Sequence, residues 1–378
     1  MTTDPTGRML AAITERRGRP VPPKIEQAFR AVPRQSFVPP QGLISGTGGE
    51  RILIDRDTHP DEWLEAVASN DFIVTQVADG AASLRDGKGT FSSSNSAPST
   101  VTTLLDLLDP EAGHRVLEIG TGTGWTAALL SHLVGAGGGV ISIEVDPHVA
   151  EQAAKNLADA PVRLVVADGA DGWPDGAPYD RVHVTCAVRS IPYAWIQQAR
   201  PGAVIVAPYS TGQGDDQVVR LVVMPDGSAH GRFPARTSYM LMRGHRTVYP
   251  PKPDNAPLHS RTTRVDPRMI AEAPQGALLA MASATGLHFD TQPRPDHVIV
   301  WALDPDDPGQ RARAVWTPGT DEYPVVQVGD RPVWDEAVAA YFQWVGWGEP
   351  GRDRFGMTVT ADRQEIWLDS PERVISPP

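Results

Sequence analysis

The sequence predicts an α/β fold: a doubly wound, Rossmann-like parallel sheet with an N-terminal helical cap and an added C-terminal α+β domain. Three observations carry this. A short apolar run at 115–125, R-V-L-E-I-G-T-G-T-G-W, ends in glycines at alternate positions, Gly120, Gly122 and Gly124, and leads into a helix-like segment at 126–134. From 115 to 208 strand-like and helix-like segments alternate, the pattern of a parallel sheet covered on both faces. After 209 the pattern changes to strand runs around Pro-Asp-Gly at 225–227, which suit antiparallel strands at a sheet edge.

Composition narrows the classes of partner. At 378 residues and 40% hydrophobic content the chain is long enough for more than one globular domain. Its 34 Lys and Arg against 46 Asp and Glu leave a formal charge of −12. That charge repels phosphate backbones and anionic membrane surfaces, so neither nucleic acid nor membrane is expected as a partner. A single cysteine, Cys186, precludes an intramolecular disulfide, and no Cys/His cluster has zinc-site spacing, so no metal is expected. The N-terminus lacks an apolar signal core and no run approaches the ~20 residues of a membrane span. A soluble cytoplasmic protein is expected. The 35 Gly and 36 Pro fall between periodic segments, as in loops.

In chain order, residues 6–32 carry two helical patterns. Met9, Leu10 and Ile13 share one face, and Ile25, Phe29 and Val32 repeat at helical spacing after Pro23, a first-turn proline. Residues 41–57 read as glycine-rich loop with a strand at 51–54, before a short helix at 60–68 with Asp61 and Glu62 in its first turn. A strand-like F-I-V-T-Q-V at 72–77 precedes the serine cluster Ser92, Ser93, Ser94 and Ser96. Pro98 opens an apolar helix at 101–108 and holds the preceding residues extended, so Ser94 and Ser96 present hydroxyls from a rigid edge. Ordinary N-cap serines are the plainer reading of the same pattern.

Within the alternating region, strands are read at 115–119, 140–144, 162–167, 181–185 and 203–208, with helices at 126–134, 147–158 and 192–199. Ligands of such sheets bind beyond the carboxyl ends of the strands, and the glycine turn marks that edge. A dinucleotide fingerprint needs a third glycine where Trp125 stands, which disfavours NAD. What stands instead is Glu-x-Gly-x-Gly-x-Gly, opened by Glu118, and it resembles motif I of the S-adenosylmethionine (SAM)-dependent methyltransferases. Glu144 closes the second strand, where an acid accepts hydrogen bonds from both ribose hydroxyls. Asp168 closes the third and is placed to accept from an adenine amino group. Cys186 falls in the fourth strand pattern and reads as a small buried apolar residue. His114, His132, His148 and His183 are assigned no chemistry.

Beyond 209, strands are read at 217–224 and 238–242, and the proline-rich polar segment 249–257 reads as a linker with a domain boundary near 250–262. The remainder is α+β: a helix around 269–284, strands at 298–303, 314–317 and 324–328, a helix opened by Pro332, and a hairpin of 357–360 with 365–368. On that second helix Trp334, Val338, Tyr341 or Phe342 and Val345 line one face, which Trp344 and Trp347 do not both share. Its tryptophans read as core, with a peptide-contacting surface as the second reading.

Four stretches give residues 23–210 a resemblance to the protein-L-isoaspartate O-methyltransferases: A-V-P-R-Q-S-F-V-P at 31–39, S-N-S-A-P at 94–98, V-L-E-I-G-T-G-T-G-W at 116–125 and D-G-A-D-G-W-P-D-G-A-P-Y-D at 168–180. The resemblance implies a SAM-dependent methyltransferase sheet, S-adenosyl-L-methionine as methyl donor, and a peptide or protein partner methylated on an aspartyl or isoaspartyl carboxylate. Carried across, it gives Ser96, with Ser94 beside it, the substrate side. Glu118 and the turn residues Gly120, Thr121, Gly122 and Gly124 take the methionine end of the donor, Glu144 the ribose, and Asp168 with Gly169 the adenine.

The family's serine-x-proline segment is typically preceded by isoleucine and followed by histidine, where this chain has Asn95 and Ser99. With the longer insert at 41–90 and the added C-terminal domain, it looks like the variant group associated with ribosomally made, modified peptides in actinobacteria. Those methylate an ordinary aspartate and close the ester to an aspartimide. The expected division is 1–90 cap and insert, 91–250 SAM-binding methyltransferase domain, and 251–378 C-terminal α+β domain for substrate recognition. General isoaspartyl repair and a non-catalytic peptide-binding module are the alternatives. A nucleic-acid methyltransferase is disfavoured, because T-C-A-V-R-S stands at 185–190 in place of Asn/Asp-Pro-Pro-aromatic.

Overall fold

The alternation read at 115–208 is a parallel sheet. A computed structural model describes residues 4–212, 216–246 and 258–376. The chain divides into two units, one of residues 1–186, 192–207 and 222–227, the other of 187–191, 208–221 and 228–378. The linker read at 249–257 lies outside the described residues.

The first unit opens with helices α1 (Pro5–Arg17) and α2 (Pro23–Ala31). Asp4 caps α1 by accepting from the Gly7 N–H, and Gly18 closes it in the left-handed region at φ 65°. Met9, Leu10 and Ile13 of α1 are buried with Ile25 and Phe29 of α2, as their spacing predicts. Strands β1 (Gln41–Ser45) and β2 (Arg51–Asp55), helix α3 (Pro60–Ala68), and strands β3 (Ile73–Val77) and β4 (Phe91–Asn95) follow. The four strands form an antiparallel sheet in the order β2-β1-β3-β4. Two of them are a correction: β1 was read as loop and β4 as a serine cluster. The N-cap reading of those serines also fails, because Ala97 is the N-cap of helix α4 (Pro98–Leu108), and the first-turn Ser99 N–H donates to Asn70 Oδ1 at 2.7 Å.

The parallel core follows as β5 (Arg115–Ile119), α5 (Trp125–Val134), β6 (Gly139–Glu144), α6 (Pro147–Asn156), β7 (Val162–Val166), β8 (Tyr179–Val184), α7 (Tyr193–Gln197) and β9 (Ala199–Tyr209). Its order is β9-β8-β5-β6-β7, with β5 central and buried from Val116 to Ile119, which is why that strand reads as apolar without alternation. Asp146 starts α6 by accepting from the His148 and Val149 N–H groups. At the head of α5 the Trp125 ring stacks on Phe29 with centroids 5.3 Å apart, and its indole N–H donates to the Val32 carbonyl at 3.1 Å. No helix of the described residues is long and apolar enough to cross a membrane.

The second unit holds most of β10 (Asp216–Val223), then β11 (Ala229–Thr237), β12 (Leu258–Thr263), α8 (Arg268–Ala271), α9 (Gln275–Thr285), β13 (His288–Pro293), β14 (Val298–Leu303), β15 (Arg311–Trp316), β16 (Tyr323–Val328), α10 (Val333–Gly346), β17 (Phe355–Val359) and β18 (Gln364–Leu368). One group of strands runs β18-β17-β11-β10, and a five-stranded antiparallel sheet runs β12-β16-β15-β14-β13. Three readings are corrected here. The strand placed at 238–242 is instead β11, masked in the sequence by Gly231 and Pro234. The helix read at 269–284 is two, with Pro274 between them, since proline has no N–H to continue the ladder. On α10 the buried face is Trp334, Ala337, Ala340 and Trp344 in place of the expected Val338, Tyr341 or Phe342 and Val345; Phe342 is 46% exposed, and Trp344 but not Trp347 is buried with Trp334.

Candidate active site

The site begins where β5 ends. Gly120 and Gly122 adopt left-handed backbone at φ 92° and 56°. A Cβ on Gly120 would stand 2.6 Å from the Thr185 Oγ1, and one on Gly122 3.3 Å from the Ser94 carbonyl oxygen. The turn is therefore bare backbone held between β8 and β4. The Gly122 N–H donates to the Glu144 Oε2 at 2.9 Å, and the Glu144 Oε1 accepts from the Asp146 N–H at 3.0 Å. Glu144 thus sits at the turn, as the sequence predicts for an acid ending β6.

Glu118 is placed differently. Its side chain is wholly buried, accepts from the Ser142 hydroxyl at 2.6 Å and lies 3.7 Å from the His183 Nδ1. With the Ser142 proton given to Glu118, Thr121 Oγ1 donates to Ser142 Oγ at 2.6 Å. The carboxylate braces the turn through Ser142 and Thr121. Asp168 is exposed beyond β7, and its Oδ1 accepts from the Ala170 N–H at 2.9 Å. Gly169 is buried: a Cβ there would stand 2.5 Å from the Ile119 Cγ2, and its carbonyl accepts from the Trp195 indole at 2.8 Å.

Strand β4 crosses above the turn. The Ser92 hydroxyl donates to the Gln76 Oε1 at 2.8 Å and accepts from the Asp79 N–H at 3.1 Å, while Gln76 Nε2 donates to Asp146 at 3.1 Å. Ser93 Oγ accepts from Thr75 Oγ1 at 3.2 Å. The hydroxyls of Ser94 and Ser96, both half-buried, make no hydrogen bond among the described residues. Of the cluster, the two residues singled out from sequence are the two left uncommitted.

Behind that edge lies Arg34, which sequence reading quoted within a motif but gave no role. It is 2% exposed and donates to Asn95 Oδ1 at 2.6 Å and to the carbonyls of Val67, Ser69, Asp71 and Ser96 at 3.1, 3.1, 2.7 and 3.2 Å. Burial pushes its guanidinium down to about 9, against the opposing pull of Asp71, so it is charged at neutral pH. Gln76 and Trp195 likewise carry no sequence signal of a role, and Asn95 and Thr123 stand in quoted motifs without one, because their contacts come from segments distant in sequence. Cys186 lies just past β8 and is half-buried. Burial, then the negative charges of Glu144 and Asp168, push its thiol up to about 12.

A glycine turn opening a parallel sheet, an acid ending the next strand and bonded to that turn, and a second acid beyond the third strand fit a nucleoside-bearing sulfonium donor. They define the class as a SAM-dependent methyltransferase fold. Residues 58–245 match the family model for protein-L-isoaspartate(D-aspartate) O-methyltransferase, and this segment of the chain belongs to that family. The chain is 42% identical over 117 residues to the protein-L-isoaspartate O-methyltransferase of Methanopyrus kandleri, covering 30% of this chain and 52% of the relative. It is 39% identical over 129 residues to that of Methanosarcina mazei, covering 33% and 52%. The chain thus spans about half the length of these curated relatives. A solved protein-L-isoaspartate O-methyltransferase structure matches in fold with a TM-score of 0.55 at 20% identity, over 97% of this chain and 100% of the other.

Proposed function

We propose that the protein is a SAM-dependent O-methyltransferase acting on the side-chain carboxylate of an aspartyl or isoaspartyl residue in a peptide or protein. The observation that carries this is the pair of uncommitted hydroxyls, Ser94 and Ser96, on the strand whose backbone lies against the glycine turn. When bound, the donor supplies an electrophilic methyl group on a sulfonium. A carboxylate, with a reference pKa near ~4, is ionised at neutral pH and needs no general base. The chain's task is to hold one carboxylate oxygen and leave the other free for in-line attack, with water excluded. A serine hydroxyl does this by donating a single hydrogen bond, where a tight cationic clamp would blunt the nucleophile.

Once the ester forms, the following backbone amide nitrogen attacks its carbonyl. The five-membered imide closes, and methoxide leaves as methanol with the amide proton. For isoaspartate, hydrolysis of the imide restores the ordinary linkage, and this repair reading fits the relatives. Maturation of a ribosomally made, constrained peptide at an ordinary aspartate is the second reading, favoured by Asn95, which replaces a typical isoleucine with a buried amide that bonds at both its oxygen and its nitrogen. On either reading residues 91–250 perform the transfer and 251–378 recognise the substrate.

The deciding experiment incubates the full chain with labelled SAM and a panel of isoaspartyl, linear aspartyl and macrocyclic aspartyl peptides. Mass gain of one methylene unit reports the ester, and net loss of water the imide. Label transferred to isoaspartyl peptides supports repair, and label confined to constrained aspartyl peptides supports maturation. No transfer to any of them, despite tight SAM binding, would leave a binding module.

A further inference from the structure

We propose that Asn95 is a positioning residue that ties the acceptor edge to the glycine turn, so that filling the turn orders Ser94 and Ser96. The proposal rests on the methyl-transfer reading for what those serines do, and on geometry alone for the tie itself.

Asn95 ends β4 between the two uncommitted serines and is 1% exposed. Its Oδ1 accepts from Arg34 Nε at 2.6 Å and its Nδ2 donates to Thr123 Oγ1 at 2.9 Å. The amide orientation is fixed by chemistry: a guanidinium offers only donors, so the amide oxygen must face Arg34 and the NH₂ must face Thr123. Each end of the tie is itself held. Arg34 is pinned by carbonyls from α3, the loop after it and Ser96, and its guanidinium lies 5.6 Å from the Trp125 ring centroid. Thr123 lies within the turn, between Gly122 and Gly124, and its carbonyl accepts from Asn156 Nδ2 at 2.9 Å.

The edge therefore touches the turn at two adjacent places, Ser94 backbone on Gly122 and Asn95 amide on Thr123. A ligand that settles the backbone of 120–124 fixes Thr123, and through one hydrogen bond fixes the strand end that carries both serines. An isoleucine at 95 would fill the same space with neither donor nor acceptor, and would leave the edge to its pairing with β3 and the Arg34–Ser96 hydrogen bond, with no side-chain link to the turn.

The test uses the full chain with S-adenosylhomocysteine as the probe and amide hydrogen exchange as the readout. In the wild type, the ligand slows exchange across 92–97 by at least about tenfold. In Thr123→Val, which keeps shape and removes the acceptor, and in Asn95→Ile, that slowing is lost while calorimetric affinity stays within about threefold. In the same variants kcat falls about 10- to 100-fold with KM for the donor unchanged, as expected for misplacement of an acceptor. Protection of 92–97 that persists in Thr123→Val, absence of protection in the wild type, or affinity that falls together with protection overturns the tie. A wild type that transfers methyl to no peptide sinks the functional reading instead, and the exchange result still decides the tie.

Discussion

The backbone N–H of Gly122 donates to the carboxylate of Glu144 at 2.9 Å, so one side chain joins the glycine turn of β5 to the end of β6. Hydrogen bonds to an ionised acceptor are about twice as strong as neutral ones. Glu144→Ala therefore removes a brace of the turn as well as the acceptor we propose for the ribose. SAM affinity measured by calorimetry is expected to fall about 10- to 100-fold, and Glu144→Gln, which keeps one amide oxygen, by less. Unchanged affinity in the alanine variant would take Glu144 out of the cofactor site.

Ser94 and Ser96 are predicted to act on the acceptor and not on the donor. Ser96→Ala should lower methyl-transfer turnover by about 10- to 100-fold, the worth of a hydrogen bond to a charged group, with SAM affinity preserved. Ser92→Ala, which cuts the link to Gln76, should instead perturb stability first. Wild-type turnover in Ser96→Ala would show that the hydroxyl is not used.

Gly122→Ala tests the turn itself. At φ 56° an alanine costs about 1–2 kcal/mol of backbone strain, and its Cβ would press on the Ser94 carbonyl from 3.3 Å. The thermal midpoint should drop by about 2–8 °C and transfer should be lost. A variant as stable and active as the parent would mean the turn is looser than its geometry.

The Cys186 thiol, pushed up to about 12 by burial and by Glu144 and Asp168, is thiolate in only about one molecule in ten thousand at pH 8. Iodoacetamide should label the folded chain far more slowly than the unfolded chain, and Cys186→Ala should keep its methyl transfer. Rapid alkylation of the native protein at neutral pH would contradict the thiol's placement.

His288 gives the second unit an acid-sensitive point. Burial, reinforced by Arg189 and opposed by Asp304, lowers its imidazole to about 4 from 6.5. Since the unfolded chain takes up the proton first, this contribution is intact above pH 6.5 and is lost as pH falls toward 4, at most about 3 kcal/mol. Thermal midpoints measured across that window should fall with acidification, and His288→Gln should flatten the slope. An equal slope in the variant would place the acid sensitivity elsewhere.

The parallel core was legible because its central strand β5 is buried from Val116 to Ile119 and each helix has a proline or glycine signal at its start, although edge strand β7 is only partly buried. Pro147 with Asp146 opens α6, and the glycine turn opens α5. What escaped reading were strands whose residues lack a strand's composition. Strand β4 is Phe-Ser-Ser-Ser-Asn, and it is held by Gln76, Thr75 and Arg34, none of which neighbours it in sequence. Glu144 stands at the end of β6 and Asp168 just beyond the end of β7, where the strand pattern places them. Glu118 is legible as part of the motif, whereas its burial beside Ser142 and His183 comes from the neighbouring strands β6 and β8. Arg34 and Asn95 stand within quoted motifs, but their roles do not show there, since they lie in hydrogen bonds to residues 28 to 62 positions away in the chain.

Trp125 stands where a dinucleotide-binding turn would have glycine, and its ring rests on Phe29 while its indole N–H reaches Val32. The first turn of α5 is in this way roofed by α2. A chain cut back beyond residue 31 would expose a large indole at the mouth of its own cofactor pocket, with a red-shifted fluorescence to report it. Engineered or proteolysed forms lacking the two leading helices would thus lose the donor before they lost the sheet.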